Sequence, residues 1–159
     1  MRRTVLLLAT MALTPLVASG VALAVTKIGT DGTDTLRGTN GADTLIGKGG
    51  NDVLFALAGD DTLLGGLGPD TMVGGDGNDF VLGAPGPDKI SGGDGNDVID
   101  VLAIAKDVVT CGGGLDRVLA DRAVVVAPDC ERVFVGERSV DAYFESIPES
   151  FFEGLNPRF

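Results

Sequence analysis

The sequence predicts an all-β fold, a parallel solenoid of short strands closed by a C-terminal cap. Eight consecutive nine-residue units run without a gap from Gly29 to Asp100, and an internal period of this kind sets the architecture before any residue is read singly. Each unit places Gly at its fourth position and Asp at its sixth. Each places an aliphatic residue or Met at its eighth: Leu36, Leu45, Leu54, Leu63, Met72, Val81, Ile90 and Ile99.

Nine residues are too few for a helix-based repeat. Gly at positions one and four permits left-handed or tightly turned backbone. In an extended segment the residues at positions seven and nine face away from the one at eight. Each unit therefore reads as a six-residue turn followed by a three-residue strand. One such strand cannot bury its aliphatic side chain alone, whereas stacked parallel strands bury a continuous thin core. Two units per coil put alternate units on opposite edges. Eight units then make four coils, rising roughly 14 Å at strand spacings of ~4.8 Å.

Composition agrees. The chain has 159 residues and a formal charge of −11, one domain plus appendages. Of the 23 acids 18 are Asp, a turn former, and 25 residues are Gly. An acidic, Gly-rich chain can be disordered, but 44% hydrophobic content with one aliphatic per unit argues otherwise. The charge argues against nucleic acid and anionic membrane surfaces as partners and favours cations.

Along the chain, residues 1–24 read as a secretory signal: Arg2 and Arg3, the apolar run Val5 to Leu13, then Ala22-Leu23-Ala24 as the cleavage site. This expects a secreted chain starting at Val25, with no membrane insertion in the mature form; an uncleaved anchor is the alternative, weakened by Pro15, Ser19 and Gly20. Residues 25–28 are a lead-in. Residues 29–119 form the solenoid, regular over 29–100. Val101 then shifts the frame by one. Leu102 to Thr110 is a degenerate unit with Asp107 and Val109 in register, and Cys111 to Leu119, CGGGLDRVL, is a recovered one. Residues 120–136 are read as a β cap, since solenoid ends need covering. Residues 137–159 form an acidic tail with Tyr143, Phe144, Phe151, Phe152 and Phe159, which either helps the cap or stays loosely packed. The two cysteines, Cys111 and Cys130, suggest a disulfide in an exported chain, two free buried thiols being the alternative.

The sixth positions carry the chemistry: Asp34, Asp43, Asp52, Asp61, Asp70, Asp79, Asp88 and Asp97. A carboxylate recurring in a Gly-rich turn offers oxygen ligands to a hard cation, calcium above all. One turn cannot supply the six to eight oxygens such an ion wants; two stacked turns can. A Gly/Asp turn array without metal is the alternative.

Gly74-Gly75-Asp76-Gly77-Asn78-Asp79 and Gly92-Gly93-Asp94-Gly95-Asn96-Asp97 resemble the nonapeptide of RTX proteins, the hemolysin-type calcium-binding repeats. The resemblance covers residues 29–100. More weakly, CGGGLDRVLADRAVVVAPDCERV is similar to the ending of small secreted actinobacterial members. It implies a right-handed parallel β-roll with calcium between adjacent turns on each edge. Asp34, Asp52, Asp70 and Asp88 would line one edge, and Asp43, Asp61, Asp79 and Asp97 the other. Carbonyls of Gly47, Gly65, Gly66, Gly74, Gly75, Gly77, Gly92, Gly93 and Gly95 would complete the shells. Three gaps on each edge give at most six ions. Ala56 and Leu57 break the pattern of the fourth unit, which puts the two sites sharing Asp61 in question. Loss of Arg2 and Arg3 takes the charge from −11 to −13, and six calcium ions would add +12.

The function expected is calcium binding by a secreted, monomeric module that folds on meeting calcium outside the cell. An enzyme is not expected: there is no His for a zinc-protease motif or a Ser-His pair, and Asp60-Asp61 reads better as ligand and turn former than as a glycosidase dyad. An adhesive or partner-binding module, with calcium purely structural and the cell-surface partner unknown, is the alternative. Ice binding is a weaker one, because Val53, Phe80, Lys89 and Val98 interrupt the position-seven row of Thr35, Thr44, Thr62 and Thr71.

Overall fold

A computed structural model of the chain describes residues 23–101 and 105–136. The expected leader up to residue 22 and the aromatic tail from residue 137 lie outside the described residues. The elements are β1 (Thr26–Ile28), β2 (Thr35–Arg37), β3 (Thr44–Gly49), β4 (Val53–Ala58), β5 (Thr62–Leu67), β6 (Thr71–Asp76), β7 (Phe80–Leu82), β8 (Lys89–Asp94), β9 (Val98–Val101), β10 (Val108–Gly113), β11 (Arg117–Ala120), β12 (Val125–Val126) and β13 (Arg132–Val135). Odd-numbered strands form one seven-stranded sheet and even-numbered strands a six-stranded one, each in sequence order. Every pairing is parallel. The chain thus crosses from one sheet to the other at every unit, as two units per coil require.

Register follows the period. Leu45 stands opposite Leu63 and Leu54 opposite Met72, eighteen residues apart. Past Val101 the offset becomes nineteen, as in Ile90 opposite Val109 and Ile99 opposite Val118. The eighth positions point inward from both sheets, and Leu45, Leu54, Leu63, Met72, Val81 and Ile99 are wholly buried. Val109 and Val118 extend the same stack, with Val101, Cys111 and Ala120 beside them.

The strands differ from the expected three residues. Six of them, β3 to β6, β8 and β10, run six residues, through position three of the next unit. Glycine-rich sequence at positions one to three reads as turn, yet the neighbouring coil offers a parallel ladder there, as in Gly75 opposite Gly93. The real turn is positions four to six. Position two in the ladder takes a positive φ. It is Gly at 66, 75, 93 and 112 but Lys48 (φ 82°) and Leu57 (φ 92°) elsewhere, and Ala84 (φ 66°), just past β7, shares it.

The regular units are followed by two further strands in each sheet. The last are β12 against β10 and β13 against β11. The Cys111–Cys130 disulfide ties β10 to the segment between β12 and β13, with Cα atoms 5.1 Å apart. On the outer face Arg117 lies over the Phe134 ring, 5.3 Å from its centroid. The position-seven threonines are split between sheets: Thr44 and Thr62 in one row, preceded by Thr26 of the lead-in, and Thr35 and Thr71 in another interrupted by Val53. No helix among the described residues is long and apolar enough to cross a membrane.

Candidate metal centre

Each sixth-position Asp sits where the turn enters a strand, and the parallel register stacks it on the Asp of the next coil. The odd edge, made by the odd-numbered units, carries Asp34, Asp52, Asp70, Asp88 and Asp107; the even edge carries Asp43, Asp61, Asp79, Asp97 and Asp116. All but Asp34 are at most 2% exposed. The link along each edge is the same throughout. The N–H of one Asp donates to Oδ1 of the Asp one coil later, at 2.8 Å for Asp52 to Asp70 and 2.9 Å for Asp61 to Asp79. Asp88 to Asp107 and Asp97 to Asp116 continue it at 2.9 Å. Asp107 and Asp116 are thus two ladder members missed by the sequence-based set of eight, although both stand in register in the degenerate units. At the C-terminal end Glu131 Oε2 accepts from Asp116 N–H at 3.0 Å.

The second oxygen is where the coils differ. Oδ2 of Asp52, Asp61, Asp70, Asp79, Asp88, Asp97, Asp107 and Asp116 is buried and has no hydrogen-bond partner. A buried carboxylate oxygen without a partner is expensive. In the first coil Oδ2 is satisfied: Thr30 donates its N–H at 2.6 Å and its hydroxyl at 2.8 Å to Asp34, and Thr39 donates both groups to Asp43.

The surroundings of Oδ2 fit a cation. A β-carbon built on Gly47 would collide with Asp52 Oδ2 and the Gly65 carbonyl oxygen. The same test on Gly65 meets Asp70 Oδ2 and the Gly83 carbonyl. On Gly74 it meets Asp79 Oδ2 and the Gly92 carbonyl, and on Gly92 Asp97 Oδ2 and the Cys111 carbonyl. Each of these four glycines thus leaves a cradle in which a carboxylate oxygen of one coil faces a carbonyl oxygen of the next. The test on Gly83 meets Asp88 Oδ2 and the methyls of Val101 and Ile90.

Of the proposed carbonyl donors, Gly47, Gly65 and Gly92 are brought to an Asp of the preceding coil. The carbonyls of Gly75, Gly93, Gly77 and Gly95 face the equivalent glycines one coil later, 93, 112, 95 and 114. Gly66 and Gly74 occupy equivalent places. Ala56, Gly83 and Cys111 also turn their carbonyls to the aspartates of the preceding coil. They were missed because any residue supplies a carbonyl, and side-chain identity does not reveal it.

Burial dominates the electrostatics. It pushes Asp61 up to about 6, Asp79 to about 7, Asp88 to about 8 and Asp97 to about 6; the N–H received from the preceding coil opposes the rise, and neighbouring carboxylates add to it. Asp70 and Asp107 move the same way for the same leading reason. Asp34 moves down, held by the N–H and hydroxyl of Thr30. Asp61, Asp70, Asp79, Asp88, Asp97 and Asp107 therefore favour a proton or a cation, whereas Asp34 does not.

The two edges are not equivalent. At position five of the even edge Asp60 Oδ1 accepts from Asn78 N–H (2.8 Å), Asn78 Oδ1 from Asn96 N–H (2.9 Å), and Asn96 Oδ1 from Leu115 N–H (2.9 Å). This outer ladder runs in the opposite sense to the Asp ladder beside it. The odd edge has Pro69 and Pro87 at that position, and proline has no N–H to give.

A family model described as the RTX calcium-binding nonapeptide repeat matches the chain in four overlapping copies, at residues 28–63, 37–72, 56–89 and 73–102. No curated protein and no solved structure matches the chain.

Proposed function

Residues 28–102 belong to the RTX calcium-binding nonapeptide repeat family, and from that premise we propose that this protein is a secreted calcium-binding roll that completes its folding when it meets calcium outside the cell. The observation that carries the reading is the row of buried, unpartnered Oδ2 atoms from Asp52 to Asp116. Calcium bound between coils would give these oxygens their missing partner and neutralise like charges stacked one strand spacing apart.

The residues in named roles follow from the ladder. Asp34, Asp43, Asp52, Asp61, Asp70, Asp79, Asp88 and Asp97 are proposed as side-chain ligands, and first-position carbonyls such as those of Gly65 and Gly92 as their partners. Gaps between successive members of this set number at most six. Position-two and position-four carbonyls, those of Gly66, Gly75, Gly93, Gly77 and Gly95, are proposed to complete the shells. No catalytic role is proposed.

The energetics point the same way. One buried aliphatic per unit contributes roughly 1.5–3 kcal/mol. Ordering nine residues of backbone costs ~1–2 kcal/mol for each. Hydrogen bonds and ions must make up the difference, as in other metal-dependent small folds. Extracellular calcium modules bind at ~10⁻⁴–10⁻³ M, so a cytosolic calcium level far below this would leave the chain unfolded and exportable. Far-UV circular dichroism in chelator, then with millimolar calcium or magnesium, tests this. Calcium should produce β structure and magnesium should do so poorly, since it demands a tighter octahedral shell. A stable β spectrum in chelator at neutral pH, unchanged by calcium, would overturn the mechanism.

A further inference from the structure

We propose that calcium occupies only four of the gaps between coils, those opening on Asp52, Asp70, Asp79 and Asp97, and that positions one and two of each unit, together with the insertion at Val101, decide which gaps take an ion. The proposal rests on the calcium reading above and narrows it. All ten stacked aspartates present the same carboxylate, so the Asp ladder alone does not distinguish one gap from another.

Four gaps combine what an ion needs. Asp52, Asp70, Asp79 and Asp97 are 1–2% exposed, and their Oδ2 atoms have no partner. Each faces a carbonyl of the next coil, from Gly65, Gly83, Gly92 and Cys111, across a space that only glycine leaves free.

The other six gaps are closed, by four devices; at Asp107, as at Asp61, the first position is not glycine but Leu102. In the first coil the threonine at position two does the work of an ion: Thr30 and Thr39 already donate N–H and hydroxyl groups to Oδ2 of Asp34 and Asp43. At Asp61 the first position is Ala56, fully buried, and of the eight regular units this is the one in which that position carries a β-carbon. At Asp88 the inserted Val101 crowds the cradle of Gly83 with a methyl. At Asp116 the first position is Cys111, whose β-carbon and sulfur are committed to the disulfide. The ion-bearing coils are thereby bounded by a hydroxyl-closed coil at one end and a disulfide-closed coil at the other.

Native mass spectrometry of the intact, oxidised protein saturated with calcium tests this, with the chelator-treated protein as reference. Four ions are expected. Ala56→Gly should raise the number to five by opening the gap at Asp61. Gly74→Ala should lower it to three by filling the gap at Asp79. Should Gly74→Ala fail to fold, Asp79→Asn keeps the side-chain shape, removes the charge, and should also leave three. Six or more ions on the unaltered protein would overturn the inference, as would an unchanged four in Ala56→Gly. No calcium at all on the unaltered protein would instead overturn the reading on which the inference rests.

Discussion

The main-chain N–H of Asp61 donates to Oδ1 of Asp79, 2.9 Å away and eighteen residues later. Asp79 thus serves two coils with one carboxylate: Oδ1 is held by the coil before it, while Oδ2 looks toward the Gly92 carbonyl in the coil after it.

Replacement of that carboxylate should therefore cost twice. Asp79→Ala removes a hydrogen bond to a charged group, about 1.5–3 kcal/mol, and one oxygen from an ion gap. Asp76→Ala touches an exposed side chain whose carbonyl, the part in use, accepts from Gly59 N–H and survives the change. Calorimetric titration with calcium should show a marked loss for the first variant and little for the second. Equal losses would mean that the assignment of position six is wrong.

Protons should imitate calcium. Burial raises the folded-state values of Asp61, Asp79, Asp88 and Asp97 to between about 6 and about 8, above the ordinary 3.8. The folded chain then holds more protons than the unfolded one across that window, so stability falls as pH rises. It is fully present below about pH 4 and is lost on passing through 6 to 8. In chelator, the β signal in circular dichroism should be stronger at pH 5 than at pH 8, and calcium should abolish the difference. A metal-free chain that gains β structure with rising pH would contradict the buried ladder.

Position two offers stabilising and destabilising changes at the same point of the coil. Leu57 is held at φ 92°, a conformation costing an L-residue roughly 1–2 kcal/mol. Glycine there loses more entropy on folding, about 0.5–1 kcal/mol, so Leu57→Gly should stabilise by up to about 1 kcal/mol. One coil later Gly75 has φ 124°, and an added β-carbon would meet the Leu57 carbonyl. Gly75→Ala should therefore destabilise. Urea melts in saturating calcium should give the two variants opposite signs.

The disulfide should hold one end only. Cys111 and Cys130 close a loop spanning nineteen residues of sequence, worth roughly 3 kcal/mol by chain entropy. The double variant Cys111→Ser/Cys130→Ser should lose amide-exchange protection in β11, β12 and β13 first, while β3 to β6 keep theirs in calcium. Uniform loss along the roll would show that its coils melt as one unit.

What the sequence makes legible here is what a side chain must supply at a constant interval. The aspartates at position six and the aliphatics at position eight have no substitute, so period and chemistry coincide there, and the two-unit coil follows. Asp107 and Asp116 escaped the site set because the extra residue at Val101 moves them off the count of nine. The outer ladder from Asp60 through Asn78 and Asn96 escaped because Asp and Asn at position five read as turn formers. Only the register shows that each caps the coil after it. The long strands escaped because glycine marks turns in general, while here it lets two ladders approach closely.

The eighteen-residue register also governs how such a chain can grow. Inserting two units adds a coil and leaves every later residue on its own sheet and edge. Inserting one unit exchanges the edges for everything downstream. The aspartates would still stack, and the aliphatics would still point inward. Position five would not survive the exchange: Pro69 and Pro87 would be offered to a row that requires N–H donors, and Asn78 and Asn96 to one that has no use for them. Duplication in pairs is therefore the step this architecture accepts, and a lone ninefold insertion is most tolerable at the ends, beyond the reach of that outer row.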